Sequence, residues 1–211
     1  MSRYALTEIF DTIQGEGGMV GQRMVFVRFA GCNLWNGLEA GRPSGKGDCA
    51  RWCDTDFQPR LALSCEAILD QVNTLWPPDD GSRWVCLTGG EPMLQVTVEL
   101  LEALRAARWK VAVETNGTVE SDLYPLIHHV TLSPKGGSTV SLERPDVLKV
   151  VLPGAWTIHD LDALLARHKP AMAYVQPQAG HPVGVQRCLD AIRHDARWRL
   201  SLQVHKFVGL P

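Results

Sequence analysis

The sequence predicts an α/β protein on a mostly parallel sheet, and two observations carry that prediction. From residue 84 onward, short runs rich in Val, Ile and Leu alternate with segments whose apolar residues follow helical spacing. This is the pattern of βα units joined by right-handed crossovers. At the ends of these runs stand polar or glycine-rich clusters: Thr88-Gly89-Gly90-Glu91-Pro92, Glu114-Thr115-Asn116-Gly117, Ser133-Pro134-Lys135 and Gln176-Pro177. In α/β folds the ligand site forms outside the carboxyl ends of the strands, so these loops should ring one cavity.

Taken in order, residues 4–13 read as a strand, followed by Gln14-Gly15-Glu16-Gly17-Gly18, a turn whose glycines should expose Gln14 and Glu16. A second strand spans 24–29, where two-residue alternation puts Arg28 on the face of Phe26 and Ala30. A guanidinium there needs either a carboxylate, with Glu16 and Glu114 as candidates, or an anionic ligand matched to its fork. Ser64 should cap a helix bearing Ile68, Leu69, Val72, Leu75 and Trp76, which Pro77-Pro78 ends. The alternation then gives strand 84–88, helix 94–107, strand 110–114, a short helix 121–127 and strand 130–133. It continues with strand 147–152, helix 158–168, strand 171–176, helix 183–194 and strand 199–205. With 211 residues, 45% hydrophobic and 21% charged, and no repeat or linker, residues 1–211 should form one domain.

The totals restrict function. A net charge of −2, with 21 basic residues scattered among 23 acidic ones, argues against a nucleic-acid partner. No apolar stretch is long enough to span a bilayer, and MSRYALTEIFDT lacks the apolar core of a secretory signal, so a cytoplasmic protein with no membrane partner is expected. Cysteines in such a chain point to metal or catalysis rather than disulfides. Cys65, Cys86 and Cys188 lie in regular apolar patterns and read as small buried hydrophobes. Cys32, Cys49 and Cys53 are different: they share a loop, residues 32–53, in which Gly37, Gly41, Gly45 and Gly47 let the chain fold back. Structural zinc normally takes four protein ligands with paired short spacings, and only one short pair is present here. Three thiolates suit an iron–sulfur cluster with one iron open to another ligand. Three unrelated cysteines remain the alternative on spacing alone.

Followed by Gly89-Gly90-Glu91-Pro92, these cysteines resemble the radical S-adenosylmethionine enzymes. EIFDTIQGEG, RFAGCNLWNG, CDTDF, TGGEPMLQ, ETNGT, LSPK, LKVV, VQP and LSLQVHKFVGLP resemble the 7-carboxy-7-deazaguanine synthase family over essentially the whole chain. The resemblance implies an incomplete (β/α) barrel of parallel strands and a homodimer. It implies conversion of 6-carboxy-5,6,7,8-tetrahydropterin to 7-carboxy-7-deazaguanine, with loss of ammonia, in queuosine and 7-deazapurine biosynthesis. It also implies a 4Fe–4S cluster, S-adenosylmethionine, Mg2+ and an electron donor such as flavodoxin or ferredoxin.

By the same resemblance Cys32, Cys49 and Cys53 hold the cluster, and Thr55 holds Mg2+. Trp52, Cys53, Asp54, Gly90, Ser133, Pro134, Lys135, Gln176 and Pro177 match cofactor-binding stretches. Ile13, Gln14, Gly15, Arg28, Thr88, His205 and Pro211 match substrate-binding positions, with Arg28 facing the substrate carboxylate and the terminal carboxylate of Pro211 facing the amino-pyrimidine edge. Glu16 and Glu114 are candidates for that edge or for the ribose.

The chain departs from the usual cysteine spacing twice: sixteen residues separate Cys32 from Cys49, and three, Ala50-Arg51-Trp52, separate Cys49 from Cys53, where two are usual. Two other readings of the cysteines are a radical activase acting on a glycyl-radical enzyme and a non-catalytic iron–sulfur or zinc protein. CDTDF and HKFVGLP side with the deazaguanine family.

Overall fold

A computed structural model describes residues 3–77 and 81–211. The chain opens with a hairpin, β1 (Arg3–Ile13) against β2 (Arg23–Phe29), and β3 (Leu61–Ser64) pairs antiparallel with the other edge of β1. From β2 onward every pairing is parallel: β4 (Arg83–Gly89), β5 (Trp109–Thr115), β6 (His129–Leu132), β7 (Val147–Leu152), β8 (Met172–Pro177) and β9 (Trp198–Leu200). The strand order is β3-β1-β2-β4-β5-β6-β7-β8-β9, with β3 and β9 at opposite edges, so the sheet is open and the barrel incomplete.

Helices α1 (Cys65–Leu75), α2 (Val98–Ala106), α3 (Ile158–His168) and α4 (Gly184–His194) supply the apolar cover. The starts of the first three are chemically marked. Ser64 accepts from Ala67 N, Thr97 accepts from Leu100 N, and Thr157 forms a reciprocal capping box with Asp160, each satisfying N–H groups that a helix start leaves unpaired.

Strand alternation sorts the two sheet faces. Val25, Val27 and Phe29 of β2, Val85 and Leu87 of β4, Val111 and Val113 of β5, and Leu148 and Val150 of β7 join one core with Ile68, Leu100, Leu104 and Leu165 of the helices. Their neighbours in sequence, Arg28, Thr88, Glu114 and Lys149, turn to the opposite face and line a cavity. One face therefore carries the stability and the other the chemistry.

Four expectations are corrected, and one strand was not foreseen. β3 lies in LALS, a short edge segment too exposed to show an alternating pattern. The helix expected at 94–107 begins at Val98, because Thr97 caps it; Pro92–Leu94 is a separate 3-10 turn capped by Glu91. In place of a helix at 121–127 there is only a 3-10 turn, Tyr124–Leu126, since Pro125 lacks a donor and disfavours helical backbone before it. The strand expected at 199–205 stops at Leu200, and Val204–Val208 forms a short helix, α5, so His205 is helical. The turn after β1 does not expose its polar side chains: Gln14 is buried and Glu16 largely so. As expected, α1 ends at Leu75; Pro78 lies outside the described residues. Cys65, Cys86 and Cys188 are buried.

The loop after β4 runs against the end of β2. Gly90 N donates to Phe29 O at 3.2 Å and Glu91 N to Gly31 O at 2.9 Å. Gly89 has φ +135°, and a Cβ on it would stand 2.1 Å from Phe29 O. Gly89→Ala is therefore expected to cost about 3 kcal/mol or more. Urea unfolding reads the cost, and a loss below about 1 kcal/mol would contradict so tight an approach.

Candidate active site

Every strand of the parallel sheet from β2 to β8 except β6 brings a residue of its own to one cavity of about 420 Å³, and the loop after β6 reaches it through Ser133 and Lys135. Its lining includes Ile13, Gln14, Gly15, Arg28 and Thr88 from the first strands, and His205 and Pro211 from the chain's end. Cys32, Cys49, Trp52, Cys53, Asp54 and Thr55 of the long loop also line it, as do Gly90, Gln176 and Pro177. Of the residues assigned from sequence to cofactor, metal or substrate, only Pro134 does not; it is buried between Ser133 and Lys135.

Arg28 and Thr88 are register partners on adjacent parallel strands. Arg28 Nε donates to Glu8 Oε1 at 2.8 Å, and its guanidinium lies 5.4 Å from the Phe10 ring centroid. Neither carboxylate named from sequence pairs with it. Hairpin register places Glu8 directly opposite Arg28, which periodicity alone does not reveal.

Glu16 and Glu114 instead flank a buried lysine that the sequence reading passed over. Lys149 Nζ donates to Glu16 Oε2 and, at 3.0 Å, to Glu114 Oε2. The other oxygens are also engaged: Gln203 Nε2 donates to Glu16 Oε1 at 2.9 Å, and Gln14 Nε2 to Glu114 Oε1 at 3.1 Å. Burial works against the Lys149 charge, but the two carboxylates outweigh it and raise its pKa. A lysine inside the apolar run VLKVVL was the available signal, the same one that drew attention to Arg28.

At the chain's end, His205 packs where Gly15 leaves no room for a Cβ, which would fall 2.0 Å from its Nδ1. Val204 N donates to Gly15 O at 2.9 Å and Thr12 Oγ1 to Pro211 O at 3.2 Å. Burial lowers the His205 pKa and favours its neutral form.

Glu91 is fully buried and accepts from Met93 N, Thr115 Oγ1 and Asn116 N at 3.0, 2.8 and 2.7 Å, tying the loop after β4 to that after β5. Burial raises its pKa despite these donors.

The cysteine loop closes in a defined way. Asp48–Arg51 is a 3-10 turn, and past it Cys53 N donates back to Cys49 O at 2.7 Å and Trp52 N to the same oxygen at 3.0 Å, so the three-residue gap closes in one turn of chain. Cys32 stands beside Gly90, whose Cβ would come 3.0 Å from that of Cys32. Among the described residues no group of three His, Cys, Asp or Glu side chains is drawn tightly enough to hold a single metal ion. A cluster asks for less, because each thiolate takes its own iron, and Cys32, Cys49 and Cys53 all line this one cavity.

Burial raises the Cys32 pKa and pushes that of Cys49 up to about 12, and the neighbouring thiols add to both shifts. Metal charge is what would hold these groups as thiolates. Trp52 Nε1 is buried without a hydrogen-bond partner, so the cysteine-bearing part of the cavity lining has a donor for a polar ligand. Lys135, bonded to Ser133 Oγ at 2.8 Å, adds a cation there.

No family model matches the chain. Among curated proteins it is 39% identical over 220 residues to the 7-carboxy-7-deazaguanine synthase of Bordetella pertussis, covering 99% of each chain. It is 39% identical over 216 residues to that of Bradyrhizobium diazoefficiens, covering 98% of this chain and 99% of the relative. The crystal structure of QueE from Escherichia coli superposes with a TM-score of 0.74 at 27% identity, covering 96% of this chain and 95% of that one.

The ion triad makes a pH-dependent prediction. Burial alone would raise the Glu16 pKa, but Lys149 holds it at about 2, below the ordinary 4.5. A carboxylate lowered in the folded state stabilises fully above its ordinary pKa and loses that contribution as pH falls through the folded value. Lys149→Met should cost about 3–5 kcal/mol at neutral pH by leaving two largely buried carboxylates without their cation. Below pH 4.5 that deficit should shrink as the Glu16 carboxyl protonates. Urea titrations at neutral and mildly acidic pH test this, and a deficit constant across both would refute it.

Proposed function

The chain belongs to the 7-carboxy-7-deazaguanine synthase family, and from that premise we propose how its cavity divides between cofactor and substrate. It is a radical S-adenosylmethionine lyase of queuosine biosynthesis that converts 6-carboxy-5,6,7,8-tetrahydropterin to 7-carboxy-7-deazaguanine with release of ammonia, using a 4Fe–4S cluster and S-adenosylmethionine. When bound, the cluster and S-adenosylmethionine supply the carbon-centred radical that starts the ring rearrangement.

In this proposal Cys32, Cys49 and Cys53, on the extended loop 32–53 of a single domain, hold the cluster. Trp52, Asp54, Gly90, Ser133, Lys135, Gln176 and Pro177 cradle S-adenosylmethionine, with Pro134 shaping the loop that presents its neighbours. Ile13, Gln14, Gly15, Thr88, His205 and Pro211 enclose the pterin. Arg28 receives its carboxylate, since the ion pair to Glu8 runs through Nε and leaves the four Nη N–H donors to give. The observation that carries this reading is the shared cavity: the three thiols, the Arg28–Thr88 pair and the buried polar turn all line it. Thr55 supplies one ligand to Mg2+, whose remaining positions go to substrate and water.

No helix among the described residues is long and apolar enough to cross a membrane, which agrees with a cytoplasmic enzyme drawing electrons from a flavodoxin or ferredoxin. Exposed apolar side chains at Leu202, Phe207, Val208 and Leu210 favour a homodimer.

Anaerobic reconstitution with iron and sulfide, then reductant, S-adenosylmethionine and the carboxy-tetrahydropterin, should yield 7-carboxy-7-deazaguanine. Cys32→Ala, Cys49→Ala and Cys53→Ala should each lose bound iron, whereas Cys65→Ala, Cys86→Ala and Cys188→Ala should keep it. A cluster-loaded enzyme that cleaves S-adenosylmethionine and makes no deazaguanine would reject the reaction, and iron loss in one of the second three variants would reject the ligand set. Thr55→Ala should weaken stimulation of turnover by Mg2+ and leave the cluster's absorbance unchanged; identical Mg2+ dependence in wild type and variant would remove Thr55 from the metal.

A further inference from the structure

We infer that Arg42 is a positioning residue for the cluster: its guanidinium clamps the turn of chain that runs from Cys49 to Cys53, and so makes the three-residue gap between them usable. The inference rests on the reading that these cysteines hold the 4Fe–4S cluster.

An isolated helical turn is a poor structure by itself, because fixing its dihedrals gains only one or two hydrogen bonds. It also leaves carbonyls at its C-terminal end without partners. Arg42 meets both difficulties. Nη1 donates to Ala50 O at 2.7 Å and Nη2 to Cys53 O at 3.4 Å, so one planar group grips the turn inside the gap and at its second cysteine.

The guanidinium is itself fixed from two further directions. Nε and Nη2 donate to the Glu39 carboxylate at 2.8 and 2.7 Å, and the guanidinium carbon lies 4.4 Å from the Trp35 ring centroid. Trp35 is buried and meets Phe57 edge-on at 5.5 Å, in a small apolar cluster with Ala50 against which Cys32 and Cys53 pack. Ala50 is closely seated too, since a Cβ on Gly45 would fall 2.1 Å from its own. The two cysteines of the turn are thus referred, through Arg42, to the aromatic pair that also packs against the third. Lysine carries the same charge but has neither the fork nor the flat face for stacking.

The test uses the full chain, reconstituted anaerobically, as wild type, Arg42→Ala and Arg42→Lys. Iron release to an excess of chelator and the electron paramagnetic resonance spectrum of the reduced cluster are read together. Both variants should release iron about tenfold faster or more, the scale on which partners that orient a metal ligand act. Both should also show an altered spectrum, which a general loss of stability would not produce. Arg42→Lys behaving as wild type in both readouts would overturn the clamp, because charge alone would then suffice, and wild-type behaviour of Arg42→Ala would overturn it outright. Should Arg42→Ala fail to fold by circular dichroism, Arg42→Lys decides.

A wild-type enzyme that holds its cluster and makes no deazaguanine rejects the proposed reaction and leaves the Arg42 comparison standing. A wild type that takes up no iron under these conditions overturns the cluster reading and the clamp together.

Discussion

One ammonium group, Lys149 Nζ, governs the floor of the cavity. A buried charge is costly unless paired and hydrogen-bonded, so Lys149 is tolerable in the middle of β7 only because Glu16 and Glu114 come to it from the turn after β1 and from β5. The same condition propagates outward. Glu16 N donates to Gln14 Oε1, Gln14 and Gln203 donate to the two carboxylates, and Ser201 joins Gly17 N to Gln176. Segments at both ends of the chain and three interior strands thereby share one polar network, and a satisfied network of this kind holds its members in place.

The sequence made the parallel sheet legible because Val and Leu runs with capped helices between them leave few other architectures. The cavity was legible for the same reason: polar residues gathered at strand ends. What periodicity could not supply was pairing across strands. Glu8 faces Arg28 through hairpin register, and Glu16 meets Lys149 from more than half a chain away. The segment after β9 misled in an instructive way. Ser201, Gln203 and His205 alternate with Leu202 and Val204 as a strand would, yet beyond Leu200 the chain leaves the sheet, and those polar residues face inward structures rather than a neighbouring strand.

That departure matters for an open sheet. A closed barrel walls its interior with strands all round, whereas here β3 and β9 do not meet. The final residues close part of the gap, since Val204 bonds Gly15, Lys206 pairs with Asp54 at 2.8 Å, and Thr12 bonds Pro211. Each contact joins the end of the chain to either the first strand and its turn or the cysteine loop, so the wall is completed by tertiary contacts that no local pattern announces.

The long first cysteine gap follows from the same economy of contacts. Lengthening a flexible loop from three to sixteen residues adds only about 1.5 kcal/mol of closure entropy, because that cost grows with the logarithm of length. Few hydrogen bonds are needed to offset it, at about 1 kcal/mol each. Lys46 N bonds Leu34 O at 2.8 Å, folding the insertion onto its own start, and Asp48 N bonds Gly136 O at 2.8 Å. Asp48 Oδ2 accepts from Ala155 N at 2.8 Å, and Gly136 leaves it space, since a Cβ there would come within 2.8 Å of that oxygen. The residue immediately before Cys49 is thus moored to the loops after β6 and β7, beside Lys135. What returns Cys49 to the cavity is this mooring, so the number of residues between Cys32 and Cys49 can vary without moving the thiol.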